Sequence, residues 1–224
     1  MDGWRVFRVN REKRRLYPLD RILLWERHPS QYDDYLIEPA VCDGYGFHHT
    51  RGDKNVPVET CRCGYHALFG KQQADALMDN LSFNDDLERF DRQSEHVSVQ
   101  GGIVAHVRAR DKTVVHQQGW RSRYMEVLEL YWPRCEYCHS LLTLIKYRGD
   151  IDWYSVWNNG LTCSHSKRAS DYFILATLSE TKEVLSEIAA RYGAQLIVSD
   201  RGASLTSRRL DTYAVTLGEV MIPL

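Results

Sequence analysis

The sequence predicts an α+β fold: an N-terminal curved β-sheet or small barrel followed by a C-terminal α+β part. Three observations lead there. Residues 97–131 divide into β-prone runs separated by glycines and polar residues, the pattern of a curved sheet with short turns. Two segments, one before those runs and one after, repeat apolar residues at the 3.6-residue helical period. The bulk composition is ordinary for a globular chain, with 224 residues, 43% hydrophobic and 26% charged. That length supports a sizeable core, and that balance excludes disorder as the dominant state.

Taken in order, Trp4–Val9 alternates apolar and basic residues and reads as a half-buried strand. Residues 10–21 are polar and basic, with Pro18 marking a turn. After the short run Leu23–Trp25, residues 26–60 hold Pro29, Pro39, Gly44, Gly46, Gly52 and Pro57, a long irregular stretch that a compact domain has to fasten somehow. Residues 71–81 read as a helix, with Ala74, Leu77, Met78 and Leu81 on one face. Residues 82–96 are acidic and polar, a short helix or a linker.

Strands are expected at Val97–Val99 and Ile103–Val107, then a polar tip over Arg108–Thr113 and a return at Val114–His116. Gln117–Gly119 suggests a bulge or turn, and Tyr124–Tyr131 another strand. Residues 141–145 are an apolar run, and 172–178 suit a strand or a helix start. Thr181–Tyr192 is the best helix, with Val184, Leu185, Ile188 and Tyr192 on one face and Gly193 as its C-cap. Leu196–Val198 reads as a strand, and Thr212–Ile222 as an edge strand. A boundary near 132 would give a β-rich part, 1–132, and an α+β part, 133–224; a single fused domain is the alternative.

No run of about 18 apolar residues predicts a membrane span, and Met1–Arg5 lacks the apolar stretch of a secretion signal. A cytoplasmic, reducing setting follows, in which the six cysteines are expected as thiols. The net charge of -1 excludes wholesale electrostatic capture of a polyanion.

Cysteine spacing is the most specific chemical signal. Cys135 and Cys138 form C-x2-C, and Cys163 with His165 forms C-x-H, together a four-ligand set suited to tetrahedral zinc. A tight C-x2-C turn brings two thiolates onto one ion. His139 is an alternative to His165, and four ordinary residues or a redox C-x2-C are the competing readings. A second set is Cys42, His48 or His49, Cys61 and Cys63, with His66 close behind. An ion there would tie down the irregular 26–60 stretch, and a glycine turn after a buried thiol is the plainer reading. One or two zinc ions are therefore expected.

A third group is basic and aromatic. Residues 105–123 carry Arg108, Arg110, Lys112, Arg121 and Arg123 against Asp111 alone, with Trp120 among them. Guanidinium groups beside an indole suit phosphate contacts and base stacking, so Arg108, Arg110, Trp120, Arg121 and Arg123 are a candidate nucleic-acid face. Solvated strand edges account for the same charges. His106 and His116, placed on adjacent strands, are a candidate metal-binding or proton-shuttling pair.

Cys61-Arg-Cys63-Gly64-Tyr65-His66-Ala67 resembles a C-x-C-G-x-x-A signature. The segment Gly102–Arg108, followed by Val115-His116-Gln117-Gln118-Gly119-Trp120-Arg121-Ser122, resembles a G-x-V…V-x-H-x2-G-W-R-A signature, departing from it at His106 and Ser122. The pair is similar to that of small bacterial and phage-borne proteins with no assigned activity, over residues 40–125. The strand-rich middle resembles the PUA-like barrels, which implies a reader of RNA or modified bases.

No P-loop, dinucleotide fingerprint, nucleophile elbow or H-E-x-x-H occurs. The leading expectation is a zinc-stabilised module that contacts RNA or DNA. The second is a protein-binding adaptor with purely structural metal sites, and the third a hydrolase using metal-bound water or His116 as base.

Overall fold

A computed structural model describes residues 1–11, 13–18, 39–40, 55–59, 64–80, 102–135, 138–147, 161–163 and 173–203. Cys42, His48, His49, Cys61, Cys63 and His165 lie outside these residues, as do the segments expected at 82–96, 97–99 and 212–222.

The fold is mixed α+β and strand-rich. In chain order the elements are β1 (Asp2–Asn10), β2 (Arg15–Pro18), β3 (Tyr65–Leu68), α1 (Lys71–Asn80), β4 (Ile103–Val115) and β5 (Gly119–Cys135). Then follow β6 (Thr143–Tyr147), β7 (Leu161–Thr162), β8 (Phe173–Leu175), α2 (Leu178–Arg191) and β9 (Gln195–Ala203). Six strands form one curved sheet, and β7, β6 and β8 a smaller one.

Strand β1 alternates as expected, but the polar stretch after it is a hairpin and not merely a turn. Arg14 takes a left-handed φ of 50°, and β2 returns beside β1 with Leu16 buried opposite Val9. The apolar signal is one residue long, too short to read from sequence. Strand β3 was also not legible: Tyr65 and Ala67 face inward, His66 and Leu68 are half-buried, and the strand bridges β1 and β5.

Strand β4 is longer than the sequence pattern suggests. The expected polar tip at 108–113 lies inside one continuous strand, and the reversal comes at His116–Gln118. The charges occupy the outer side of the strand. Asp111, with φ of 65°, sits in a register shift between Arg110 and Thr113, so the polar residues mark a bulge and not a turn.

A second shift falls between His106 and Val107, where Glu129 and Val127 are their partners and Leu128 is passed over. A side chain changes face at each residue of a regular strand, so Glu126 and Glu129 would otherwise point to opposite faces. The bulge instead sets them opposite Arg108 and His106 on one face. These two irregularities supply curvature. The pairings β1–β3, β3–β5, β5–β4 and β4–β1 form a circuit.

Helix α1 matches the expected 71–81 closely. Ala74 is fully buried and Leu77 packs with Val6, Val104, Trp4 and Tyr131. Helix α2 begins earlier than the apolar period suggests, because Thr177 caps it. Its side chain accepts from Glu180 N while Glu180 returns a bond to Thr177 N, a reciprocal capping box. Gly193, at φ of 65°, ends it as expected. Strand β9 then runs parallel to β5.

One core cluster draws on both sheets and on α2. Phe7, Ile103, Trp120 and Leu130 share one cluster with Leu142, Leu161, Leu185 and Ile188. Strand β5 itself runs across position 132.

Candidate metal centre

The centre begins where β5 ends. After Cys135 the chain turns back on itself: Cys135 N donates to Ser140 O (2.8 Å), His139 N donates to Cys135 O (2.9 Å), and Leu142 N donates to Pro133 O (3.1 Å). The Arg134 Nη1 group also bonds to His139 O at 3.0 Å. His139 adopts φ of 56°, the left-handed conformation this reversal demands. Cys135 and Cys138 thus belong to one tight turn. Trp132 Nε1 anchors the returning strand through Leu142 O at 2.7 Å.

Cys163 arrives by a separate route. It follows β7, which pairs with β6 through Thr143↔Thr162 and Leu144↔Leu161. Strand β6 is held from the helix side, where Thr181 Oγ1 accepts from Leu144 N at 3.1 Å. The result is a group of three thiols, Cys135, Cys138 and Cys163, whose sulfurs all lie within 4.8 Å of one another. Cys135 and Cys163 are buried and Cys138 is exposed, and none of the three is in a disulfide.

Zinc–thiolate bonds of about 2.3 Å in a tetrahedron put sulfurs about 3.8 Å apart, so this spacing suits one ion with little adjustment. Thiolate donors favour zinc, Cu(I) or iron–sulfur chemistry over hard cations. His139 is exposed and is not part of the group. No described helix starts at the C-x2-C, so the strand-to-helix context of a redox dithiol is missing among the described residues. Ser140, Thr143, Thr162 and Trp132 position the centre and were not singled out by sequence, since their roles depend on which strands pair.

The described residues of the irregular 26–60 stretch are tied to the sheet at Ala40, Asn55 and Val58. Ala40 N bonds to Arg123 O (2.8 Å), and Arg121 Nη2 bonds to Val58 O (3.3 Å). Lys112 Nζ also reaches Asn55 O at 3.1 Å.

The basic and aromatic group divides between core and surface. Trp120 is 1% exposed, and its Nε1 donates to Asp2 O at 3.1 Å. Its ring is core and presents nothing for a base to stack on. Arg121, 4% exposed, is buried as well. Arg108, Arg110 and Arg123 are nearer the surface, but each is in an ion pair: Arg108 with Asp2 (2.8 Å), Arg110 with Glu126 (2.5 Å) and Arg123 with Asp111 (3.3 Å). Arg123 also lies over the Tyr124 ring. The Arg108 guanidinium holds the Asp2 carboxyl below the usual range, with further help from His106 and the N-terminus.

The two histidines do not face each other. His106 lies within β4 and His116 immediately follows that strand, so they are separated along it. His106 stacks on Trp4 (4.7 Å between centroids) and has Nδ1 3.2 Å from Glu129 Oε2. Tyr131 donates to the same oxygen at 2.6 Å. Burial, then that hydrogen bond and the Glu129 charge, push the Tyr131 hydroxyl up to about 12. Lys71 of α1 sits over the Trp4 and Tyr131 rings. This cluster is stitched across three strands and one helix, a grouping set by register. His116 Nε2 accepts from Arg121 Nε at 2.7 Å, so the base expected in the hydrolase reading is already engaged.

No family model, curated protein or solved structure matches the chain. No described helix is long and apolar enough to cross a membrane.

Proposed function

We propose that this chain is a zinc-fastened binding module in which the metal is structural. The carrying observation is the convergence of Cys135 and Cys138, from the turn after β5, and Cys163, from the end of β7, to within 4.8 Å. With His165 as fourth ligand the set is Cys3His, one of the standard structural zinc sets. A second ion held by Cys42, His48 or His49, Cys61 and Cys63 belongs to the same reading. The shared core supports a single fused unit, and the pairing circuit supports a small barrel, the PUA-like architecture, at its centre.

A protein partner fits this module better than a nucleic acid. Asp2, Glu126 and Asp111 offset the charges of Arg108, Arg110 and Arg123, and Trp120 has no exposed face. RNA or DNA is the second reading. It is favoured by the exposure of the Arg108 and Arg110 side chains, 40% and 56%, because surface ion pairs are weak enough for phosphate to displace.

Elemental analysis of the purified chain tests the metal, with at least one zinc per chain expected and none overturning the reading. Pull-down with and without nuclease, alongside anisotropy on RNA and DNA at low and moderate salt, separates the partners. A nuclease-resistant partner supports the adaptor, whereas binding with a steep salt slope supports the nucleic-acid reading.

A further inference from the structure

We infer that the Cys135–Cys138–Cys163 centre is also a peroxide-sensitive fastener that lets β7 loosen from the turn after β5 when oxidised. This rests on the zinc reading above. Its basis is an asymmetry in exposure and in connectivity. Cys138 is exposed while Cys135 and Cys163 are buried, so a small oxidant meets one sulfur first. Cys135 and Cys138 share a turn closed by its own hydrogen bonds, whereas Cys163 is delivered by β7. The Leu142 N–Pro133 O and Trp132 Nε1–Leu142 O bonds already tie β5 to the chain entering β6, so zinc adds a further link, from the turn after β5 to the end of β7.

The chemistry balances with hydrogen peroxide as oxidant. The zinc-bound thiolates are deprotonated. Cys138 Sγ attacks one peroxide oxygen, the O–O bond breaks, and hydroxide leaves, giving a sulfenic acid. The Cys135 thiolate then attacks Cys138 Sγ, the S–O bond breaks, a second hydroxide leaves, and an S–S bond forms. Two thiolates have lost two electrons and the peroxide has gained two.

Cys135 is the favoured resolving thiolate because it lies in the same turn as Cys138. Losing both thiolates leaves Cys163 and, in the Cys3His set, His165 as donors, too few to retain the ion. The new disulfide lies within the turn, so nothing replaces the metal link to β7. A Cys138–Cys163 disulfide would instead preserve that link.

The test uses the full chain as purified, with its zinc content measured before any oxidant. Hydrogen peroxide is titrated in while a metallochromic indicator reports free zinc. Differential alkylation with peptide mapping assigns the disulfide, and amide exchange follows β4, β6 and β7. The expected result is one zinc lost per Cys135–Cys138 disulfide, faster exchange in β6 and β7 with β4 unchanged, and full reversal by a thiol reductant with added zinc.

Three results overturn the inference: zinc retained while Met1 is oxidised, a Cys138–Cys163 disulfide, or zinc loss with unchanged exchange in β6 and β7. A chain lacking zinc before peroxide is added overturns the zinc reading itself, and this inference with it.

Discussion

Arg121 Nε donates a 2.7 Å hydrogen bond to His116 Nε2 across the β4–β5 turn, and the arginine that makes it is 4% exposed. This bond requires a neutral imidazole, since a protonated ring has no acceptor. Burial and the Arg121 charge hold the His116 pKa below its ordinary value. Below about pH 6.5 the unfolded chain takes a proton that the folded chain refuses, so stability falls with pH through that window. Above it the contribution is complete and flat. His116 is exposed as a residue, so the effect is small. Thermal melts between about pH 7.5 and pH 5 are expected to show a shallower slope for His116→Gln than for the native chain. An unchanged slope means the pair is not coupled to folding.

Trp120 separates a core role from a recognition role. Trp120→Ala is expected to destabilise by about 3–5 kcal/mol. Trp120→Phe, losing the bond to Asp2 O, is expected to cost about 1–3 kcal/mol. Denaturant unfolding measures both. A Trp120→Phe chain that keeps full stability but loses nucleic-acid binding in anisotropy contradicts the buried role.

Gly119 lies against the β3 backbone, where an added Cβ would overlap the Ala67 carbonyl oxygen. Gly119→Ala is expected to push β3 away from β5 at a cost of about 1–3 kcal/mol. The expected readout is a lower denaturant midpoint with faster amide exchange at Tyr65–Leu68. The G-W-R run is thus a packing device: its glycine admits β3, its tryptophan fills the core, and its arginine locks the turn.

Metal removal offers an effect as large as a core truncation. With free zinc about a thousandfold above its Kd, binding contributes about 4 kcal/mol to folding. Chelation is expected to lower the melting temperature, and zinc to restore it. Cys163→Ser is expected to abolish the response while Trp120→Phe retains it. A melting temperature indifferent to chelator and to zinc rules out a structural ion.

Capping was written in the sequence as Thr177-Leu178-Ser179-Glu180, a T-x-x-E box preceding an apolar period. Thr177→Ala is expected to cost about 1 kcal/mol, measured by denaturant unfolding. Glu180→Ala, removing the reciprocal bond, is expected to cost no more than that.

Local periodicity by itself determined both helices, the first strand and the long β-prone run, because burial on one face imposes a repeat that neighbouring residues must carry. It also determined that Cys135 and Cys138 share a turn. It could not reveal β2 or β3, whose few residues are strands only because β1 and β5 lie beside them. Nor could it tell a charged outer strand face from a polar turn at Arg108–Thr113, since both are hydrophilic and the distinction lies in the partners Asp2 and Glu126.

Tertiary structure alone decided which aromatics are core, with Trp120 inside and Trp4 half-buried beneath α1. It alone brought Cys163 to the other two sulfurs, because that meeting depends on the pairing of β6 with β7 across residues distant in sequence. Spacing along a chain fixes what a single turn can gather, and strand register fixes the rest.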